Sequence, residues 1–494
     1  MNAARVINIL MQFNWLTIAE TLYVLAIIAV CVKIIYETRS SSKTLAYLLL
    51  TIFLPVLGAI IYFSVGLNYR KRKLYDKKII KDTQLQLQIQ ERISLAYEKQ
   101  IKEAAPSLKQ FEKLAQLSIK NSWSPLAGEN EVKLLINGEQ KFVEVVAALK
   151  AATHHIHLEY YIFEDDYIGH LIKDILIEKA RAGVQVRLIY DDFGSRSIRR
   201  DIIPELIEAG VEAFPFYRVL FLALANRLNY RNHRKIIVID GHTAFTGGIN
   251  VSDRYINNEA AEQRYWRDTH LKIVGPGIYY LQYIFIGDWN FCSGQYLAPN
   301  QKYFNLEPSG TQDVTVQVVA SGPDSEQSTI LLSLLSAISL ADKEICITTP
   351  YFIPGDSLLD ALTMAVLSGV NVTLLVPDRS DSIFVDWASS SYFADLLAAG
   401  VRIFRYTKGF IHAKTMVVDE QLCIVGTANM DYRSFDLNFE VNTLIYNNTL
   451  ACQLKDVFEN DLKDSVELKL DEWEQRPWYK QLPERLARLL SPLL

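Results

Sequence analysis

The chain has 494 residues, half of them hydrophobic, and a formal net charge of −5. The length allows two or three domains, and the high apolar fraction indicates a globular body with a short membrane part. A negative net charge argues against nucleic acid as a partner. The five cysteines form no CxxC pair, so neither a zinc site nor a disulfide framework is supported.

Two apolar runs lie near the start of the chain, at residues 15–35 and 45–65. Each has the roughly 20 residues that a helix needs to cross a bilayer, and the short polar connection between them predicts a transmembrane hairpin over residues 1–70. A cleaved signal peptide is disfavoured, because no A-x-A cleavage site follows the first run and the second run begins at once. Pro55 and Gly58 interrupt the second run, so a re-entrant or interfacial segment stays open.

Basic residues flank these runs. The connection carries Arg39 and Lys43, and six lysines and arginines follow the second run between positions 70 and 78. The positive-inside rule then places the rest of the chain in the cytoplasm, as part of a multi-pass membrane protein. The basic cluster either only fixes this topology or also binds anionic headgroups. Residues 71–125, rich in charged residues and glutamine, predict a linker helix.

The remainder of the chain is an internal repeat, with predicted domains at 126–305 and 306–494. Each half runs through a strand-like stretch, a helical stretch and a Gly-Val turn into another strand. These stretches are 152–163 and 171–181 with the turn at 183, and 341–352 and 358–367 with the turn at 369. The rhythm is typical of α/β units. Two such units predict an α/β body with pseudo-twofold symmetry.

The first half contains an apolar insertion at residues 219–225 that has no counterpart in the second half. Arginines flank it on both sides. It is either a surface segment that dips into the bilayer or a buried core helix.

The strongest motif occurs once in each half. The copies are His233-x-Lys235-x4-Asp240 and His412-x-Lys414-x4-Asp419, and each is followed at the same offset by G-x-x-N, which ends at Asn250 and Asn429. Residues two apart on a strand face the same side, so each His and Lys point together. Their matching places in the repeat predict that they form one site.

These residue types suit phosphodiester chemistry. One histidine can attack phosphorus while the other protonates the leaving oxygen. Lysines and asparagines can hold the developing charge, so no metal or other cofactor is expected. The histidines at 154, 155 and 157 are interpreted as surface or sheet positions and not as metal ligands.

The twin motif resembles the paired HKD sequences of the phospholipase D superfamily. Nearly the whole chain resembles the bacterial cardiolipin synthases, which implies an inner-membrane location. Three features distinguish this resemblance from that to the superfamily as a whole. They are the hydrophobic hairpin with Leu54-Pro55-Val-Leu-Gly58, the basic stretch after it, and residues 429–440. One departure is Gly248, where the superfamily often has serine, and it predicts one fewer hydroxyl donor.

The resemblance implies a role for each motif residue. His233 would be the nucleophile that forms a phosphohistidine, and His412 the acid and then the base. The phosphate would be bound by Lys235, Lys414, Asn250 and Asn429.

Carboxylates have two different expected roles. The resemblance implies that Asp268 and Glu440 orient the imidazoles. Asp240 and Asp419 belong to the catalytic motif by sequence, but we interpret them as structural anchors at a strand end or a turn.

The implied reaction transfers a phosphatidyl group from one phosphatidylglycerol to another and releases glycerol. Rival functions are a phospholipase D that uses water, a phosphodiesterase or nuclease, and an inactive membrane scaffold. The anchor and the net negative charge weigh against a nuclease. The second lipid, phosphatidylglycerol or phosphatidylethanolamine, and the number of copies that assemble stay open.

Overall fold

The computed structural model describes residues 15–38, 41–63, 106–122, 124–217, 230–257, 264–298, 300–305, 312–325 and 327–491. These residues fall into an N-terminal part and a body that begins at residue 106. The predicted apolar insertion, the basic cluster and most of the predicted linker helix lie outside the described residues.

The N-terminal part contains three helices, α1 (Trp15–Glu37), α2 (Ser41–Phe53) and α3 (Pro55–Ile61). Within the described residues, Leu16–Glu37 is the one segment long and apolar enough to cross a membrane as a helix. The first apolar run therefore forms the predicted helix.

The second apolar run is broken into α2 and α3. Leu54 leaves the helical region with φ −132° and ψ 70°, because Pro55 disfavours a helical residue before it. The chain then doubles back: a Cβ on Gly58 would lie 2.5 Å from the Cα of Thr51, two helical turns earlier in the sequence. The continuous second helix predicted from the sequence is thus replaced by a short helical reversal.

A small core holds this reversal against α1. Ile34, Tyr47 and Tyr62 are buried together, and the Tyr62 hydroxyl donates to Glu37 Oε2 at 2.8 Å. A polar bond between helices is favoured where water is scarce. The three helices therefore form a packed unit.

The first half of the body alternates strands and helices. Its elements are α4 (Pro106–Gln110), α5 (Glu112–Ser122), β1 (Leu126–Ile136), α6 (Asn137–Ala151), β2 (His155–Tyr160), α7 (Tyr167–Arg181), β3 (Gln185–Tyr190), α8 (Ile202–Glu208), β4 (Glu212–Pro215), β5 (Lys235–Ile239), β6 (Thr243–Gly247), β7 (Tyr265–Arg267), β8 (Thr269–Val274) and α9 (Tyr279–Ser293).

The second half repeats the pattern. Its elements are β9 (Val314–Ser321), α10 (Thr329–Ser339), β10 (Glu344–Thr348), β11 (Phe352–Ile353), α11 (Asp356–Leu367), β12 (Asn371–Pro377), α12 (Ile383–Ser390), α13 (Phe393–Ala399), β13 (Arg402–Tyr406), β14 (Gly409–Ile411), β15 (Thr415–Val418), β16 (Leu422–Gly426), β17 (Met430–Asp431), α14 (Tyr432–Asp436), β18 (Glu440–Tyr446), α15 (Asn448–Lys463), β19 (Ser465–Glu467), α16 (Leu470–Glu474) and α17 (Trp478–Leu490).

Fifteen of the described strands form one sheet. Outward from its centre, the first half runs β1-β8-β6-β5-β2-β3-β4 and the second runs β9-β18-β16-β15-β10-β12-β13, with β19 at the edge. Corresponding strands occupy corresponding places, and the β1–β9 pair joins the halves. The predicted α/β repeat is therefore present in the strand order.

The sheet bends so that its halves face each other. Three strands separate β16 from β8 in the sheet, which would put them roughly 19 Å apart if it were flat. The two strands are nevertheless in contact, and β16 also contacts β6. This bend brings the strands that follow the two motifs toward one place.

The end of the predicted linker segment belongs to the body. Leu108, Phe111 and Leu114 are buried in the core of the second half, and the Gln317 side chain donates to the Ala115 carbonyl oxygen at 3.1 Å. Apolar spacing of three residues is what a helix needs to bury one face. The predicted domain boundaries themselves stay a prediction.

Candidate active site

The two motif histidines precede equivalent strands, β5 and β15. The backbone N–H of His233 donates to the Phe439 carbonyl oxygen at 2.9 Å, and that of His412 donates to the Arg267 carbonyl oxygen at 2.7 Å. Each histidine is therefore tied by its backbone to a segment of the opposite half.

The same exchange gives each imidazole a carboxylate from the opposite half. His233 Nδ1 lies 2.9 Å from Glu440 Oε2, and His412 Nδ1 lies 2.8 Å from Asp268 Oδ2. All four side chains are buried. A carboxylate that accepts from Nδ1 leaves the Nε2 lone pair free for chemistry. Each half of the repeat therefore supplies a histidine to one pair and a carboxylate to the other.

Each motif lysine folds back onto its own histidine. Lys235 Nζ donates to the His233 carbonyl oxygen at 2.8 Å, and Lys414 Nζ donates to that of His412. Both ammonium groups are buried, and Lys414 lowers the pKa of Lys235. The two lysines thus concentrate positive charge at one point, as binding of a phosphate anion requires.

Both imidazoles are neutral at pH 7 in the unliganded site. Burial lowers the pKa of His233 to about 4; Glu440 opposes this effect, while Lys235 and Lys414 add to it. Burial and Lys414 likewise lower the pKa of His412 to about 4, against the effect of Asp268. A neutral imidazole is the form that can act as a nucleophile or a base.

The lysine pKa values lie near neutrality. Burial lowers the pKa of Lys235 to about 7 and that of Lys414 to about 8, although Glu440 and Asp268 counteract the shift in each case. An incoming phosphate anion would favour the charged form of both.

The carboxylates of Glu440 and Asp268 have different neighbours at the second position of the G-x-x-N sequence. In the second half the Thr427 hydroxyl donates to Glu440 Oε2 at 2.5 Å. In the first half the equivalent residue is Gly248, where a Cβ would lie 2.1 Å from Asp268 Oδ1. The glycine that departs from the superfamily pattern therefore leaves the space that Asp268 occupies.

Two buried arginines support the backbone of these carboxylates. Arg234 Nε donates to the Glu440 carbonyl oxygen at 3.3 Å, and Arg267 Nη1 donates to the Asp268 carbonyl oxygen at 2.6 Å. Each arginine is paired in turn with a buried aspartate, Arg234 with Asp288 and Arg267 with Asp461. Such charge-assisted pairs fix the position of the backbone they join.

Asp240 and Asp419 end the motif strands, about 17 Å along the strand from the lysines. Both have φ 52°, and each carboxylate accepts three consecutive backbone N–H groups. For Asp240 these are residues 153–155 at 2.8, 2.8 and 2.9 Å, and for Asp419 they are residues 342–344 at 2.7, 2.7 and 2.9 Å. Both carboxylates therefore bind backbone N–H groups at the end of the motif strand that is distant from the lysines.

The two asparagines differ in their surroundings. The Asn250 amide donates to the Tyr255 hydroxyl at 2.8 Å, and its oxygen accepts from Ile162 N at 3.3 Å. The Asn429 amide oxygen is buried and has no hydrogen-bond partner among the described residues. The Asn250 side chain is therefore hydrogen-bonded to its local surroundings, whereas the Asn429 amide oxygen is not.

Three side chains near the site were missed by sequence reasoning. The Tyr161 ring packs edge-on against His233, with 4.8 Å between centroids, and the Trp266 ring lies 5.6 Å from that of His412. Lys141 is fully buried and donates to the Ile249 and Asn250 carbonyl oxygens at 3.0 and 3.1 Å. Tyr161 follows a buried strand, a position that could have marked it, whereas Lys141 sits in a helix without any distinguishing pattern.

The other histidine cluster is part of the sheet. His155 and His157 are buried, and His157 stacks on Phe285 with 4.4 Å between ring centroids. Burial lowers the pKa of His155 to about 4. These side chains pack among aromatic rings, in agreement with their interpretation as sheet positions.

Comparisons with known proteins match this chain to a family. The family model described as "Cardiolipin synthase, PLD-like domain" matches residues 145–264 and 334–462, one copy in each half. A second model, "Phospholipase_D-nuclease N-terminal", matches residues 23–66.

Curated relatives are similar over almost their whole length. The cardiolipin synthase of Alkalihalophilus pseudofirmus is 42% identical over 476 residues, which are 96% of this chain and 93% of that protein. The major cardiolipin synthase ClsA of Bacillus subtilis is 40% identical over 475 residues, 96% of this chain and 98% of that protein.

A solved structure shares the fold of the body. The phosphatidylserine synthase of Haemophilus influenzae superposes with a TM-score of 0.58 at 16% identity. The match covers 77% of this chain and all of that one.

Proposed function

Because the chain belongs to the cardiolipin synthases of the phospholipase D superfamily, we propose that it transfers the phosphatidyl group of one phosphatidylglycerol to the glycerol headgroup of another and releases glycerol. The enzyme is a phosphatidyltransferase, and its substrates are phospholipids. The observation that carries the proposal is the similarity to cardiolipin synthases over more than nine-tenths of both chains, with both His-x-Lys motifs intact.

In the first step His233 Nε2 attacks phosphorus while Glu440 holds its Nδ1 proton. A P–N bond forms and the P–O bond to glycerol breaks, and His412 gives a proton to the leaving oxygen. Its pKa of about 4 rises when the phosphodiester anion enters, because an anion favours imidazolium. Lys235 and Lys414 hold the charge that develops on the phosphoryl oxygens.

In the second step a headgroup hydroxyl of the second lipid attacks the phosphohistidine. His412, now neutral, takes the hydroxyl proton, the P–N bond breaks, and cardiolipin leaves. Asp268 supports the charge on His412 in both steps. The same two histidines thus return to their starting protonation.

A lipid-product assay tests the overall reaction. The purified full chain is incubated with phosphatidylglycerol vesicles, and cardiolipin and glycerol should appear in a 1:1 ratio. Phosphatidic acid as the sole product would instead establish a hydrolase with water as acceptor. A parallel incubation with added phosphatidylethanolamine identifies the second lipid substrate.

Intermediate trapping tests the roles of the histidines. His412→Ala should slow both steps, and any phosphatidyl adduct that it accumulates should be found on His233 by mass spectrometry of peptides, because His233 is the nucleophile. His233→Ala should give no adduct. The opposite result would exchange the two roles.

The symmetry of the body also belongs to this proposal. We propose that the two halves are related by a pseudo-twofold axis that passes between the motif histidines, which the matching strand order supports. Superposition of residues 126–305 on residues 306–494 in an experimental structure should then exchange the two motifs.

The body is proposed to face the cytoplasm of a bacterial cell, anchored in the inner membrane by the N-terminal helices. A two-span hairpin and a re-entrant second run both place the body there, but they put Met1 on opposite sides. A reporter fused after Leu494 should be active only in the cytoplasm, and a second reporter at Met1 separates the two topologies. A periplasmic signal at Leu494 would overturn the orientation.

A further inference from the structure

The last helix of the body, α17, has its apolar side turned away from the protein. Its outer stripe consists of Trp478, Tyr479, Leu482, Leu486 and Leu489, which are between 47% and 74% exposed. At 100° per residue these five side chains fall within about 100° of the helix circumference. A surface helix ordinarily turns such a stripe toward the core.

Polar bonds hold the opposite face of α17 to the body. Glu484 is buried and forms a bidentate pair with Arg476, at 2.7 and 2.9 Å. Arg488 reaches Asp395 at 2.8 Å and the Ser391 carbonyl oxygen at 3.3 Å. These charge-assisted bonds fix which side of the helix faces inward, so the outer stripe cannot turn inward without breaking them.

Helix α17 packs along α12, and a carboxylate just before α12 acts electrostatically on a motif lysine. Asp381, two residues before α12, accepts from the Tyr351 hydroxyl at 2.7 Å, and its charge raises the pKa of Lys414. The first two residues of α12, Ile383 and Phe384, are also exposed apolar side chains. Exposed apolar surface therefore occurs both on α17 and where α12 approaches the motif lysine.

The exposed charges on α17 indicate which kind of surface its outer apolar stripe would contact. The exposed charged side chains of the helix are Lys480 and Arg485, both basic, whereas its acidic residue, Glu484, is buried in the pair with Arg476. Tryptophan, tyrosine and leucine beside lysine and arginine are typical of helices that lie in a bilayer interface with anionic lipids.

We propose that α17 lies in the interface of an anionic bilayer, with its outer stripe among the acyl chains, and thereby holds the body with its candidate active site at the lipid surface. The inference rests on the proposed function only in taking a bilayer lipid as the substrate. This role differs from that of the N-terminal helices. They anchor the chain in the membrane, whereas α17 would orient the body on its surface.

Charge substitution in the outer stripe tests the proposal with the full-length enzyme. Leu489→Asp, in proteoliposomes of phosphatidylglycerol, should lower cardiolipin formation at least tenfold. With dihexanoyl phosphatidylglycerol below its critical micelle concentration, turnover should stay within twofold of wild type. The matched control is Leu367→Asp on α11, since Leu367 is 75% and Leu489 74% exposed, and it should change neither rate.

The outcomes separate the possible errors. Equal loss on both substrates, no loss on either, or the same loss in the Leu367 variant would overturn the docking role. Conversion of a wild-type dimer to a monomer by Leu489→Asp would assign the stripe to a second copy of the chain instead. Failure of the wild-type enzyme to form cardiolipin from either substrate would contradict the proposed function.

A second measurement does not depend on activity. Brominated lipids in proteoliposomes should quench tryptophan fluorescence of the wild-type protein, and Trp478→Phe should remove a part of that quenching. An unchanged quenched component in Trp478→Phe would show that the stripe lies outside the bilayer, and would overturn the proposal whatever the lipid assay gives.

Discussion

Each motif histidine takes its carboxylate partner from the opposite half of the chain. Glu440 is 207 positions from His233 and Asp268 is 144 positions from His412, yet both pairs are within hydrogen-bond distance. A site assembled this way requires both halves to be folded together. It also means that a change in one half should disable the histidine of the other.

Replacement of Glu440 by glutamine should lower cardiolipin formation roughly 100-fold or more. Glutamine keeps the size of the side chain but cannot stabilise the imidazolium or fix the tautomer of His233. The rate of phosphatidylglycerol consumption measures the effect, and circular dichroism checks the fold. A loss of less than threefold would contradict the orienting role of Glu440.

Replacement of Gly248 by alanine should displace Asp268 from His412, because the new Cβ would lie 2.1 Å from the carboxylate oxygen. We expect about a 100-fold loss of activity, since a shift of about 1 Å at a reacting group costs this much. Gly287→Ala in α9 is the matched control, because no heavy atom lies within 4 Å of its Cβ position. Activity should be retained in that control, and similar losses in both variants would refute the steric explanation.

The ends of the two motif strands are fixed by aspartate side chains. Asp240 and Asp419 adopt positive φ at the end of the motif strands and collect three backbone N–H groups each. Both bind the chain that leads into the neighbouring strand, β2 or β10. The register between the motif strand and its neighbour therefore depends on these carboxylates.

Asp240→Ala should destabilise the body by about 2–4 kcal/mol, from the lost acceptor bonds and from alanine at positive φ. The cardiolipin synthesis rate per folded molecule should change less than threefold. Thermal unfolding and activity measured on the same preparation separate the two effects. Asp240→Asn, which tolerates the same φ and keeps one acceptor oxygen, should lose less stability; a large loss of rate without loss of stability would return Asp240 to a catalytic role.

At the level of the complete body, burial of histidines links stability to pH. His155, His233 and His412 each have a folded-state pKa of about 4, below the ordinary value of 6.5. Between these values the unfolded chain binds more protons than the folded one. Stability is therefore fully present above pH 6.5 and declines as the pH falls toward 4.

Thermal unfolding temperatures of the unliganded protein from pH 7.5 to pH 5 should show this decline. His155→Phe keeps the packing among aromatic rings but removes one titrating group, so its unfolding temperature should fall less steeply with acidification. Parallel slopes for the two proteins would exclude a contribution from His155.

Several features could be read from the residues alone. The repeat, the α/β class and the first apolar helix follow from local patterns, because periodicity and turn residues act over a few positions. The family was indicated by the resemblance of the paired motifs. The structural interpretation of Asp240 and Asp419 also agrees with the geometry, since an aspartate after an apolar strand commonly accepts backbone N–H groups at a turn. His155 and His157 lie in strand β2, as interpreted, whereas His154 precedes the strand.

Other features depended on the folded chain. The sequence left open whether the second apolar run crosses the membrane or is re-entrant. The reversal after Pro55 became visible only from the packing of Gly58 on Thr51. The exchange of Glu440 and Asp268 between halves arises from the bend of a fifteen-stranded sheet. The apolar stripe of α17 faces outward because the ion pairs Arg476–Glu484 and Arg488–Asp395 form on the opposite side of the helix. Spacing in one sequence carries no record of such long-range contacts, since they are set by how distant elements meet in space.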